Sequence, residues 1–392
     1  MMKKNNFKRL FFISLIGCVI MVACKESPKE ISNISFDPNA ETRSIFETGI
    51  IKDVELIRLE SDSCTLGPID KIICKDSLLY LLDRNITKSV YIFTTKGQFV
   101  NKISKHGHGK YEYIQLWDIF FDQNNQLCLL SRLDQKIIAF SPDGTRILGE
   151  RKLPKMFSHI MPTTNGYVGY MLNYSQDSNL PYNVWTMDKD FNLLEGFSPI
   201  SPNLESCYNA QVNTMSGYGE AMYFKPEYTN TIYQIKDGEM SERYHLDFGE
   251  KTFPDLSTIS RENEREWMIL TLQKVANVYH YAETEDNLLL DFIMDGQDYM
   301  GIYDKSSRTT EIADLDSYVD EFVFSFGTIR GMDESAIYSV VDYEGVYSMW
   351  VGHNQYNDFE KLYPKQVSNL RKLYPQMEET GNPFIVRYSL KE

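Results

Sequence analysis

In the stretch KHGHGKYEY, residues 105–113, two histidines stand two apart between glycines, with Tyr111, Glu112 and Tyr113 close behind. Such a set could hold a metal through His106 and His108, pair His108 with Glu112 for proton transfer, or simply form a tight loop. A zinc site needs ligands fixed on regular elements, with a third and fourth at a set spacing. His-Gly-His lacks that support, so the stretch reads as a loop whose glycines, Gly107 and Gly109, free the backbone for a tight path. A contact between this loop and a ligand stays open, through His108 and Glu112.

Signatures with a built-in mechanism are missing elsewhere: the chain has no P-loop, HExxH, GxSxG or paired CxxC. SPDGT (141–145) has part of a sialidase Asp-box but lacks its spacer and following aromatic, and reads as a hairpin turn. Any chemistry must therefore be assembled from residues far apart in sequence, and the elements that position them come first.

An internal repeat supplies those elements. LLYLLDRNITKSVYIFTTKGQFV (78–100) and QLCLLSRLDQKIIAFSPDGTRIL (126–148) align with one gap, matching Leu81 to Leu129, Leu82 to Leu130, Arg84 to Arg132, Phe93 to Phe140 and Gly97 to Gly144. Each copy reads strand, polar loop, strand, glycine turn, strand. The frame recurs at Met187, Ile235, Tyr303 and Met349, in steps of 47, 47, 48, 68 and 46 residues. Six such units with one insertion predict an all-β fold, a six-bladed β-propeller of four-stranded antiparallel blades. The long step is assigned to a helical insertion at 254–277, before blade five, with Trp267, Ile269, Leu270, Leu272 and Val275 on one face. A second, short helical segment is expected at 358–379. KDVELIRLE (52–60) alternates well but has no blade of its own, so it should pair with the C-terminal blade and close the ring.

Residues 1–23 read as a lipoprotein signal peptide, with Lys3, Lys4, Lys8 and Arg9 ahead of an apolar run ending in MVAC. Cys24 is the expected lipidation site, 24–45 a tether, and 46–392 the single propeller domain. Lys25 favours the outer membrane, periplasmic or surface-facing. The lipid would be the only membrane contact, and the chain is expected to be a monomer. Losing the signal removes four positive charges from a chain of net charge −15, which disfavours nucleic-acid binding. The aromatic share, 13%, suits an all-β protein and surfaces that stack on sugars or peptides. Of the cysteines left, Cys74 and Cys128 read as buried thiols, and a Cys64–Cys207 bridge is left open.

The chain resembles the six-bladed β-propeller lipoproteins of Bacteroides-type bacteria, themselves similar to NHL-repeat propellers. Those carry a Gly-x-Gly-Pro-Gly-Glu-Tyr loop after the first blade and an Asp near the start of the next strand. GHGKYEYIQLWDIFFD matches at Gly107, Gly109, Glu112, Tyr113 and Asp118, and departs at Lys110 and Tyr111. YLLDRNITKSVYIFTTKGQFV and NPFIVRYSLK also resemble that family. The resemblance implies the architecture and no particular reaction.

In a propeller, the loops between blades and those between the second and third strands share one face around the channel mouth, where ligands bind. The repeat places Asp70 and Asp118 at equivalent points there, with Asn213, Ser158, Tyr279 and Thr328 by looser alignment. Such an oxygen ring could hold calcium or simply meet water. Arg84 and Arg132 could clamp a carboxylate or sulfate or, the preferred reading, pair with neighbouring acids at the rim, and Tyr228 could stack on a ligand. The preferred expectation is a non-catalytic envelope lipoprotein binding a glycan, peptide or protein partner. The alternative is a calcium-dependent hydrolase or lyase with His108, Glu112, His159 or His280 as base.

Overall fold

A computed structural model describes residues 31–175, 182–204, 215–218, 221–259, 263–315, 317–319, 322–324, 326–341, 364, 368 and 381–391. Six sheets of four antiparallel strands follow one another along the chain. Blade one is Lys71–Lys75, Leu78–Asp83, Ser89–Thr94 and Phe99–Ile103. The innermost strands of the next five blades are Leu116–Phe121, His159–Thr163, Met215–Tyr218, Val278–Glu283 and Thr328–Met332. The expected all-β six-bladed propeller is thus the fold.

The apolar residues explain the packing. A blade has two faces, and each must be buried against a neighbour. Among the described residues six core clusters accordingly lie one between each pair of adjacent blades, with a seventh, smaller one beside them. Tyr80, Leu82, Ile92, Ile119, Leu129 and Phe140 join blades one and two. Ile57, Leu59, Ile72, Leu81, Tyr338 and Ile385 join blades six and one, which closes the ring. At roughly 1.5–3 kcal/mol per fully buried large side chain, each seam is a substantial part of the fold's stability.

Closure follows the sequence expectation. Ile51–Arg58 is the outer strand of blade six and pairs antiparallel with Phe384–Leu390, Ile57 facing Ile385 and Val54 facing Tyr388. The third strand of this blade is therefore the C-terminal one, paired to Ala336–Val341. The sixth frame residue, Met349, lies outside the described residues. Asn382 completes the lock: its amide donates to the carbonyls of Glu60 and Cys64, and its oxygen accepts from Leu66 N at 2.9 Å. The carbonyl of Arg58 passes so close to Gly97 that a Cβ there would lie 1.9 Å from it, and Gly97 has φ +80°. Only glycine fits this turn.

Two features depart from the sequence reading. The chain joins the blades well before residue 46: Ser32–Ser35 lies parallel on the outer strand of blade four, and Arg43–Ser44 on that of blade five. Ile34 and Phe36 are buried there, so this part of the expected tether belongs to the propeller. The helix before blade five is shorter than the segment assigned to it, Glu264–Gln273, and Asn263 caps it by accepting from Glu266 N at 3.2 Å. Trp267 and Leu270 pack on a satellite cluster with Tyr228 and Phe253, whereas Ile269 and Leu272 face solvent. Val275 lies beyond the helix, bridged to Thr252. The segment 358–379 and Cys207 lie outside the described residues, apart from Pro364 and Ser368. Cys128 is buried, as expected, and Cys74 only partly so. Among the described residues no helix is long and apolar enough to cross a membrane.

Candidate functional site

The innermost strands of all six blades line one central cavity of about 380 Å³. Its mouth is where those strands begin, and the polar residues of blades one to three meet there. Lys71 pairs with Leu82 across blade one, Asp118 with Leu130 across blade two, and His159 with Tyr170 across blade three. Since Leu82 and Leu130 are repeat equivalents, Lys71, not Asp70, is the counterpart of Asp118. The count from sequence slips by one because the turn between the first two strands is one residue longer in blade two: Asp118 and its partner Leu130 are twelve residues apart, Lys71 and Leu82 eleven. Bulges, which re-aim side chains, also interrupt the innermost strands of blades two, five and six, beside Asp118, His280 and Arg330.

The three equivalent residues bond to one another across the blades. Lys71 Nζ donates to Asp118 Oδ1 at 2.7 Å, and His159 Nδ1 meets Asp118 Oδ2 at 2.9 Å. Asp118 is 1% exposed. Burial opposes its charge, yet the Lys71 ammonium, with His159 beside it, holds the carboxyl well below the usual carboxylate range. Burial pushes the His159 imidazole below its ordinary value, against the pull of Asp118. His159 is thus neutral at pH 7, and a carboxylate that only accepts fixes the proton on Nδ1. Its Nε2 is an acceptor, buried without a hydrogen-bond partner among the described residues. Lys71 is the charge partner of Asp118, and His159 contributes a hydrogen bond.

Asp70 accepts from Arg84 N at 2.7 Å and from Asn85 Nδ2 at 3.3 Å. Arg84 and Arg330 line the same cavity, close enough for their charges to influence each other and for Asp70 to act on Arg330. The Arg84 guanidinium also stacks on Trp117 at 5.0 Å, and Arg132 lies over the same indole at 4.9 Å and over Tyr174 at 5.3 Å. Among the described residues Lys71, Lys75, Arg84 and Arg330 line the cavity with Asp70, Asp118 and Asp333, so cations outnumber carboxylates there by one in a chain of net charge −15.

A calcium ring does not form from the described residues. Both oxygens of Asp118 already face an ammonium and an imidazole N–H, which take the place a cation would need. Ser158 is fully buried, Thr328 is exposed on the strand end, and Asn213 lies outside the described residues. Among the described residues no three His, Cys, Asp or Glu side chains gather as a metal set.

The remaining candidates fall elsewhere. His108 is exposed and does not line the cavity. Glu112 serves its own loop: its Oε2 accepts from Gly109 N at 2.8 Å and fills the space a Cβ on Gly107 would occupy, 2.1 Å away. The glycines therefore make room for a carboxylate, and the left-handed conformation falls on Tyr111, φ +61°. Tyr113 is fully buried and donates to Lys88 O at 2.6 Å, which anchors the loop. Tyr228 is 8% exposed and packs on Phe253 and Trp267, so its ring is core and not a platform for a ligand. Lys71, Arg330 and Asp291 line or support the cavity without having been picked out in sequence. Nothing local in the sequence marks any of the three.

Behind His159 the polar groups continue inward. Its ring stacks on Tyr170 with centroids 6.4 Å apart, and the Tyr170 hydroxyl donates to Glu227 Oε2 at 3.2 Å, as does Asn173 Nδ2 at 2.9 Å. Lys225, 3% exposed, lies near this carboxylate without a hydrogen-bond partner among the described residues. Burial lowers its ammonium to about 7, with Glu227 pulling the other way.

Fold and site together define a six-bladed propeller with a basic-mouthed central channel. The chain matches, over residues 31–389, the family described as Domain of unknown function (DUF4934), and it belongs to that family. A putative exported protein from Bacteroides fragilis has the same fold: TM-score 0.69, 17% identity, 92% of this chain and 100% of that one covered. A member of the DUF4221 family from Bacteroides vulgatus is more distant, at TM-score 0.47 and 8% identity, covering 86% and 98%. Virginiamycin B lyase from Staphylococcus aureus gives TM-score 0.42 and 12% identity, covering 73% and 81%. No curated protein matches. The Bacteroides-type propeller resemblance read from the sequence is borne out.

Proposed function

We propose that this is an exported envelope lipoprotein, anchored through Cys24 at the outer membrane, whose channel mouth binds an acidic saccharide. The observation that carries this reading is the pair of arginines, Arg84 and Arg330, that line with Asp70 a cavity to which every blade contributes, while Asp118 there is held by Lys71. Guanidiniums suit carboxylate or sulfate groups. A sugar acid carries such a carboxylate, and the cavity, at about 380 Å³, is within the range for a small ligand. The signal region and MVAC sequence support export and lipidation, and the exported Bacteroides relative has the same fold.

The test is calorimetric titration with oligogalacturonate and, as control, a neutral oligosaccharide of the same length. Binding should be confined to the acid and weaken with salt. Arg84→Ala and Arg330→Ala should each cost about 1.5–3 kcal/mol, as for hydrogen bonds to charged groups. Equal binding of the neutral sugar, or indifference to both substitutions, would defeat the reading.

A further inference from the structure

We propose that the channel also cleaves uronate glycans by β-elimination, with His280 as the base. This rests on the acidic-saccharide reading above and adds a reaction to it.

His280 is the channel's second imidazole and the better placed one. It lines the cavity and is 7% exposed. Its Nδ1 lies 2.7 Å from Asp291 Oδ2, and Asp291, 6% exposed, sits directly opposite it on the neighbouring strand. A bulge between Val278 and His280 sets this pairing. A carboxylate on Nδ1 holds the neutral ring with its lone pair on Nε2 and stabilises the imidazolium once a proton arrives. Among the described residues no group meets Nε2. His159 differs on both counts. Its Nε2 is buried in the wall, and its carboxylate is shared with Lys71. Asp291 has no cation partner besides His280 among the described ion pairs.

The cations complete the chemistry. A hydrogen on the carbon next to a carboxylate is hard to remove because the negative charge builds on the carboxylate oxygens. Fixed guanidiniums aimed at those oxygens lower that barrier. Arg330 stands on the innermost strand of the blade next to that of His280, with Arg84 beyond it, and both line the same cavity. In the step, His280 Nε2 takes the hydrogen as a proton and the C–H electron pair becomes a carbon–carbon double bond. The bond from the neighbouring carbon to its glycosidic oxygen breaks, and that oxygen leaves with the electron pair. The imidazolium protonates it, directly or through one water, which restores the base. No water is added and nothing is oxidised or reduced.

The experiment incubates the purified full chain with polygalacturonate, alginate and chondroitin separately. It follows the ultraviolet absorbance of the conjugated unsaturated uronate and measures binding of each polymer in parallel. The expected result is rising absorbance with at least one polymer. His280→Gln should slow it by roughly 100-fold or more, in the range for a lost general base, while binding persists. Asp291→Asn, which favours the wrong tautomer, should also slow turnover without abolishing binding. Binding without absorbance from any polymer would overturn the elimination and leave the binding reading intact. No binding at all would overturn both. Undiminished turnover in His280→Gln and Asp291→Asn would remove His280 as the base.

Discussion

Replacing Asp118 by Asn tests whether the mouth is held by a desolvated charge or merely decorated by one. Asp118 is 1% exposed and bonds to Lys71 of blade one and His159 of blade three. Removing one member of a buried pair typically costs about 3–5 kcal/mol, because the other charge stays behind. Lys71 is 23% exposed on its side chain and can turn partly to water, so the expected cost is about 2–3 kcal/mol. Urea unfolding at pH 7 would measure it. In the Asp118→Asn background, Lys71→Met should cost almost nothing further, since the two share one interaction. The pH dependence has a definite sign. The folded-state value of Asp118 lies below the unfolded value of about 3.9, so the wild-type advantage is full above about pH 5 and shrinks as pH falls below about 4. A cost near zero at pH 7, or one that does not shrink in acid, would show that solvent screens the pair.

Three further outcomes follow from the other polar groups of the channel and its wall. Lys225 is lowered to about 7 by burial, so the folded chain binds fewer protons than the unfolded one up to about pH 10.4, and stability should rise with pH across that span. Lys225→Met should stabilise the protein by roughly 1–3 kcal/mol at pH 7, an advantage gone by about pH 10; destabilisation would mean the ammonium chiefly holds Glu227. A thermal melt with calcium and with chelator should show no shift. A shift lost in Asp70→Ala would reinstate a cation at the mouth, since a metal at about 100 times its Kd adds some 2.7 kcal/mol.

The repeat made the architecture readable before any coordinates. Alternating strands at a near-constant step leave two apolar faces per unit, and stacking units in a ring buries both faces of every blade. The pairing of Ile51–Arg58 with the C-terminal strand follows from the same need, because an unpaired alternating strand must find an edge. The loop reading of KHGHGKYEY also held, although through room for Glu112 and not through glycine torsions.

The site was another matter. Which residue of blade one equals Asp118 turned on a single extra residue in the first turn of blade two, and a slip of one moves every side chain without changing the pattern of residue types. The bond of Lys71 to Asp118 spans 47 residues and that of His159 to Asp118 spans 41, so no local spacing announces either. Tyr228 looked like a surface aromatic and became core because a helix with only Trp267 and Leu270 turned inward came to rest on it. Sequence alone determined the ring, its closure and its compartment signals, since these depend on periodicity and composition. Tertiary structure decided the charge of the mouth, because charge there depends on which cations lie within bonding distance of which carboxylates, and only packing brings six blades' first strands to one place.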